Sequence, residues 1–97
     1  MKLSVAPAAQ HELIEAAKFY AERAGEDFGL ALIAEFEHAL SLLSDNPELG
    51  ASWQGSARRL PLRRFPYNLI YQLKPLELRV IALAHQRRRP GFWAERR

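Results

Sequence analysis

The sequence predicts an α+β fold in the order β-α-α-β-β-β, an antiparallel helical hairpin packed on one face of a small, mostly antiparallel sheet. Two stretches with helical apolar periodicity fill the front half, and three strand-like runs fill the back half. A short link between the helical stretches folds them back on each other. At 97 residues the chain is expected to form one domain, 1–97, around a single core.

Lys2 to Val5 alternates polar and apolar residues and is expected as a first strand, with Leu3 and Val5 inward. Pro7 suits the first turn of a helix, where its missing N–H costs nothing. Leu13, Ile14, Ala17, Tyr20, Ala21 and Ala24 recur at helical spacing, and Gly25 is the stop. Asp27 is the expected cap of a second helix with the stripe Phe28, Leu32, Phe36, Ala39 or Leu40, and Leu43. Asn46-Pro47 ends it, because a residue before proline avoids the helical region.

Glu48 to Ala57, with Gly50, Trp53 and Gly55, is expected as a loop. Arg58 to Arg64 follows as a short strand that Pro61 confines to an edge or a bulge. Tyr67 to Lys74 is a strand with Tyr67, Leu69, Tyr71 and Leu73 on one face, and Lys74-Pro75-Leu76-Glu77 is a turn. Leu78 to Ala84 is apolar on both faces, as befits a central strand. His85 to Arg97 carries too many charges, and too central a Pro-Gly, for an assigned element.

Uninterrupted alternation divides the strands into two faces. Leu60, Leu62, the Tyr67-to-Leu73 set, Leu78, Val80, Ala82 and Ala84 share the helix side. Arg59, Arg63, Phe65, Asn68, Ile70, Gln72, Arg79, Ile81, Leu83 and His85 fall on the other. Arginines mixed with Ile70, Ile81 and Leu83 suit either a partner segment or the chain's own tail, through Phe92 or Trp93.

Charge is divided along the chain. Residues 1–57 carry 3 basic and 9 acidic side chains, a net of −6, while residues 58–97 carry 11 basic and 2 acidic, a net of +9. Ten of those eleven cations are arginine, whose planar fork grips carboxylate or phosphate in a bidentate manner. An anionic partner is the expectation, whether nucleic acid or an acidic protein segment.

Several chemistries are excluded. With no cysteine there is no disulfide, thiolate zinc site or cysteine nucleophile. Apolar runs such as Val80 to Ala84 are far too short to span a bilayer, and the N-terminus lacks a secretory pattern. A soluble cytoplasmic protein without metal or cofactor is expected. His11-Glu12-Leu13-Ile14-Glu15 lacks the second histidine of a metalloprotease helix, and Gly50 to Gly55 lacks the lysine of a phosphate-binding loop. The remaining candidate chemistry is in the basic half. Arg59, Arg63, Arg64, Tyr71, His85 and Arg87-Arg88-Arg89 can surround one anion, with His85 as acid or base and arginines on a phosphorane. Alternatively, His85 simply ends the last strand and orders the tail.

The run from Arg58 to Tyr71 (Arg-Arg-Leu-Pro-Leu-Arg-Arg-Phe-Pro-Tyr-Asn-Leu-Ile-Tyr), then Val80 to His85, then Arg89-Pro90-Gly91-Phe92-Trp93, resembles the RelE/ParE superfamily of bacterial toxins. It is most similar to the ParE-like, or plasmid-stabilisation, branch. The helical hairpin, the Asn46-to-Gly50 turn and the strand block follow in family order, so the resemblance covers most of the chain.

The resemblance implies a growth-inhibiting toxin of a type II toxin-antitoxin system, held by a cognate antitoxin whose acidic C-terminal segment folds on binding. The expected antitoxin- or target-binding residues are Arg59, Arg63, Ile70, Arg79, Ile81, Leu83, His85, Arg87, Arg88, Arg89 and Trp93. ParE-like members are similar to poisons of DNA gyrase that hydrolyse nothing themselves, and that target is preferred. RelE-like members are ribosome-dependent mRNA endonucleases with a late tyrosine, and His85, Arg63, Arg59 and Arg89 are the candidates for that chemistry. Here Gln86 follows His85, and the late aromatics Phe92 and Trp93 cannot exchange a proton. An inactive toxin-fold binding module and a generic basic RNA-binding domain are the other readings, the latter disfavoured because Tyr71 is expected to face the helices.

Overall fold

The computed structural model describes residues 1–87 and Arg96. Its elements are β1 (Lys2–Val5), α1 (Pro7–Ala24), α2 (Glu26–Asp45), β2 (Ala51–Ser52), β3 (Ala57–Pro61), β4 (Tyr67–Lys74) and β5 (Glu77–His85). The strands form one sheet in the order β1-β5-β4-β3-β2. β1 runs parallel to β5, and the other pairs are antiparallel.

Gly25 is the whole link between the helices. Its φ of 101° lies where other residues are strained. Its N–H donates to the Ala21 carbonyl at 3.1 Å, and its carbonyl accepts from the Phe28 N–H at 3.0 Å. One residue thus ends α1 and caps α2. Asp27, expected as the cap, lies inside the first turn because a one-residue link leaves no extended position for it. There, with Glu26, it complements the positive end of the helix dipole.

The helices cover one sheet face. Ala9, Leu13 and Ala16 of α1 and Leu32, Phe36, Ala39 and Leu43 of α2 pack with Leu62, Phe65, Leu69, Tyr71, Leu78, Val80 and Leu83. The buried stripe of α1 is centred on Ala9, Leu13, Ala16 and Ala17, so Ile14, a neighbour of Leu13 about 100° round the helix, is 41% exposed. Leu3, expected inward, is 39% exposed on outer strand β1.

Three strand expectations need correction. The stretch from Glu48 to Ala57 is not all loop, since Ala51 and Ser52 pair with Arg59 and Arg58 as β2. The strand expected to reach Arg64 stops at Pro61, and the Leu62 N–H closes the turn onto the Tyr67 carbonyl at 2.9 Å. The third correction concerns the faces. Tyr71 pairs with Val80 and Ile70 with Ala82, so Ile81 is an extra residue, a β-bulge in β5. Beyond it the alternation inverts. Leu83 joins the helix-side core, while Ala82 and Ala84 join Ile70 and Ile81 on the other face. His85 pairs with Tyr67 and turns to the helix side with it. Phe65, in the β3–β4 turn where strand alternation no longer applies, also packs into the helix-side core.

Candidate functional site

The helix-free face has a small apolar centre of Ala57, Ile70, Ile81, Ala82 and Ala84, with Trp53 packed against it. Ile70 and Ile81 are only 1% and 0% exposed, so they are not a bare patch awaiting a partner. They are already shielded within the chain, and the polar groups around them are the accessible part of this face.

Arg59 and Trp53 meet there because of the β2–β3 hairpin. The Trp53 N–H donates to the Ala57 carbonyl at 2.8 Å, which places Trp53 diagonally across from Arg59 on one face. The Arg59 guanidinium carbon lies 3.8 Å from the centroid of the indole. Among the described residues neither Trp53 Nε1 nor Arg59 Nε, both buried, has a hydrogen-bond partner. Farther along the face, Arg79 donates to the Ser4 hydroxyl at 3.1 Å, and Ser4 donates to Glu77 at 2.6 Å. That hydroxyl is the main reason the Glu77 carboxyl is held below its usual value.

A second cationic region is the β3–β4 turn. Glu35 of α2 accepts the backbone N–H groups of Arg63 and Arg64, the latter at 3.0 Å, and the Arg64 Nε at 3.2 Å. Burial pushes the Glu35 carboxyl up, but the Arg64 and Arg63 donors outweigh it and hold the group below 4.5. Ala34, Glu35, His38, Arg63 and Arg64 line an open cleft of about 410 Å³. The Arg63 side chain is exposed there.

His85 lies in a third place. Its ring meets the Tyr67 ring edge-on at 5.2 Å, and its Nδ1 accepts the Arg87 N–H at 3.1 Å. Burial raises the Tyr67 hydroxyl pKa. The surrounding groove, about 440 Å³, is walled by Glu12, Glu15, Phe19, Tyr20 and Leu83. Glu12 accepts the Leu83 N–H at 3.1 Å and a bidentate pair from Arg96 at 2.9 and 3.1 Å. Arg96 also donates to the carbonyl of the bulged Ile81 at 3.1 Å. Glu12 and Arg96 together therefore satisfy backbone groups on the edge of β5 beyond the reach of β1.

The single anion site expected from sequence is thus divided. Arg59 and Arg79 flank the helix-free face, Arg63 and Arg64 sit in the β3–β4 turn, and His85 is across the sheet beside two carboxylates. Leu83 is core. Tyr71 is fully buried, its hydroxyl accepting the Gly50 N–H at 2.9 Å and donating to the Pro47 carbonyl at 2.7 Å. Arg87 is exposed at the end of β5, and Arg88, Arg89 and Trp93 lie outside the described residues. Among the described residues no group of His, Asp or Glu is placed to hold a metal ion, and no described helix is long and apolar enough to cross a membrane.

Sequence reasoning missed Trp53, Glu12, Glu35 and Tyr67 as parts of these surfaces. Only Trp53 carried a usable signal, an indole six residues before an arginine across the turn-forming Gly55.

Residues 3–90 match the family described as ParE toxin of type II toxin-antitoxin system, parDE. Among solved structures, the chromosomal ParDE TA system from P. aeruginosa superposes with a TM-score of 0.79. That alignment covers 88% of this chain and 95% of the other at 20% sequence identity, a likeness of fold. No curated protein matches the chain.

Proposed function

Because the chain belongs to the ParE toxin family of type II toxin-antitoxin systems, we propose that a cognate antitoxin neutralises it and that the free toxin inhibits growth by poisoning DNA gyrase. The antitoxin contributes an acidic C-terminal segment, complementary to the net +9 of residues 58–97. Among the residues expected to bind antitoxin or target, the cations Arg59, Arg63, Arg79 and Arg87 are the part of that set this reading retains, with Arg88, Arg89 and Trp93 as further candidates.

One observation carries the preference for binding over hydrolysis. His85 stands against Tyr67 in a groove with Glu12 and Glu15, whereas Arg59 stacks on Trp53 on the opposite sheet face. A phosphoryl-transfer site needs its acid or base within hydrogen-bond reach of the atoms whose charge the cations stabilise. The one described cation paired in that groove, Arg96, is already committed to Glu12 and to the Ile81 carbonyl.

The experiment is expression without antitoxin, followed by assay of the purified chain. Growth arrest is expected, with gyrase-cleaved DNA accumulating and ribosome-bound mRNA left intact. Normal growth at confirmed expression would favour the inactive binding module. The mRNA endonuclease reading has one observation behind it, the phenol of Tyr67 beside the imidazole of His85. Site-specific mRNA cuts that disappear in His85→Ala would make it the correct one.

A further inference from the structure

We infer that the stacked pair Trp53–Arg59, on the edge hairpin β2–β3, is the anchor for a carboxylate of the antitoxin's acidic segment. This rests on the toxin-antitoxin reading above and goes beyond it by naming the anchoring residues and the group they take.

Two N–H donors on neighbouring side chains, Trp53 Nε1 and Arg59 Nε, are both buried without an acceptor. Each unmet donor costs about 1–3 kcal/mol, more where the donor is charged, so two together at a sheet edge need a reason. An occupant bringing two acceptor oxygens removes both costs. A carboxylate does so with one group, after a small rotation of side chains that sit in a short edge hairpin.

Arg59 is suited to that role by what it lacks. Arg58 is tied to the carbonyls of Glu48 and Gly50, Arg64 to Glu35, and Arg79 to Ser4. Among the described residues Arg59 has only the indole face beneath it, which orients the guanidinium without neutralising it. The neighbouring backbone is also open to a peptide. β2 is the outer strand of the sheet, and both of its residues are exposed.

A peptide fits better than a nucleic acid. Backbone binding to DNA or RNA draws on several phosphate contacts at once. Here, among the described residues, Arg59 lies beside an apolar centre and an indole donor while Arg79 is held by Ser4, a surface suited to one acidic side chain among apolar neighbours.

The test titrates the full chain with the purified product of the reading frame beside its gene, measuring the dissociation constant calorimetrically. Arg59→Gln should weaken binding about 30-fold and Trp53→Phe about fivefold, the sizes of a charged and a neutral hydrogen bond. Arg59→Lys, which keeps the charge and loses the planar fork, should fall near Arg59→Gln. In the proton NMR spectrum, the indole N–H resonance that Trp53→Phe removes should move downfield when the complex forms.

Affinities within twofold of the native chain in both Arg59→Gln and Trp53→Phe would overturn the anchor while leaving the toxin-antitoxin reading intact. An unmoved indole resonance would overturn it too. Absence of any binding by the native chain would remove the antitoxin reading and the anchor with it. A salt-dependent affinity for duplex DNA that Arg59→Gln abolishes, with protein binding unchanged, would assign the pair to nucleic acid instead.

Discussion

The two faces of the sheet are built from the same strands yet do different work. On the helix side, fourteen of the described residues interlock in the buried core, and the Tyr71 hydroxyl among them has both a donor and an acceptor. On the other side, five small or aliphatic residues form the buried centre, and the polar side chains next to it have donors without acceptors. A core that leaves nothing unsatisfied has no use for a partner. A surface that keeps a cation and an indole N–H unmet gains free energy when a partner supplies the missing oxygens. If the Trp53–Arg59 pair is the anchor, stability and recognition are separated by the thickness of one strand.

Substitutions sharpen that comparison most where the loss should be largest. Leu32, fully buried in α2, leaves a cavity when shortened, so Leu32→Ala should cost about 3 kcal/mol in chemical denaturation. Tyr71→Phe deprives the Gly50 N–H and the Pro47 carbonyl of their partner and should cost about 2 kcal/mol by the same measurement. Gly50→Ala should match or exceed it, because the new Cβ would stand 2.7 Å from the Tyr71 ring.

Glu35→Gln should cost about 1–2 kcal/mol at pH 7, since an amide offers one acceptor oxygen where Arg63 and Arg64 use two, and brings no charge opposite Arg64. Its pH dependence has a definite sign. The folded-state pKa of Glu35 lies below its unfolded value of about 4.5, so its contribution is complete above 4.5 and is lost as pH falls through the lower folded value. The gap between native and Glu35→Gln stabilities should therefore close in acid, and a gap that widened there would contradict the assignment.

Arg59→Gln should be the mildest in stability, within about 0.5 kcal/mol, because a partly buried edge side chain with no hydrogen bond among the described residues supports little. A melting-temperature loss as large as that of Leu32→Ala would erase the distinction between the faces. Ile81→Asp, by contrast, belongs with the core variants. At 0% exposure its carboxylate would be buried unpaired, and the chain should unfold rather than merely lose a partner.

Much of the architecture was legible residue by residue. Pro7, Gly25 and Asn46-Pro47 mark helix ends through backbone chemistry that needs no tertiary context, and the observed ends fall within a residue of them. Lys74-Pro75-Leu76-Glu77 turns where proline and the end of alternation say it should. The same locality explains the failures. β2 has only two residues, too few for a period to show. The acceptor role of Glu35 depends on a turn 28 residues away, and that of Glu12 on a strand 71 residues away.

By itself, then, the sequence determined two helices, the central strands, the division of charge and the family. Each rests on interactions between residues a few positions apart or on summed composition, and these survive any arrangement of the rest. Tertiary structure alone decided which side chains share a face. Val80-Ile81-Ala82-Leu83-Ala84 contains no glycine, proline or polar residue to announce a bulge, yet nine residues of β5 are laid against eight of β4. The extra residue is absorbed at Ile81, where Arg96 takes the carbonyl. Because side chains alternate with a period of two, that one residue moves Leu83 and His85 across the sheet from Arg59.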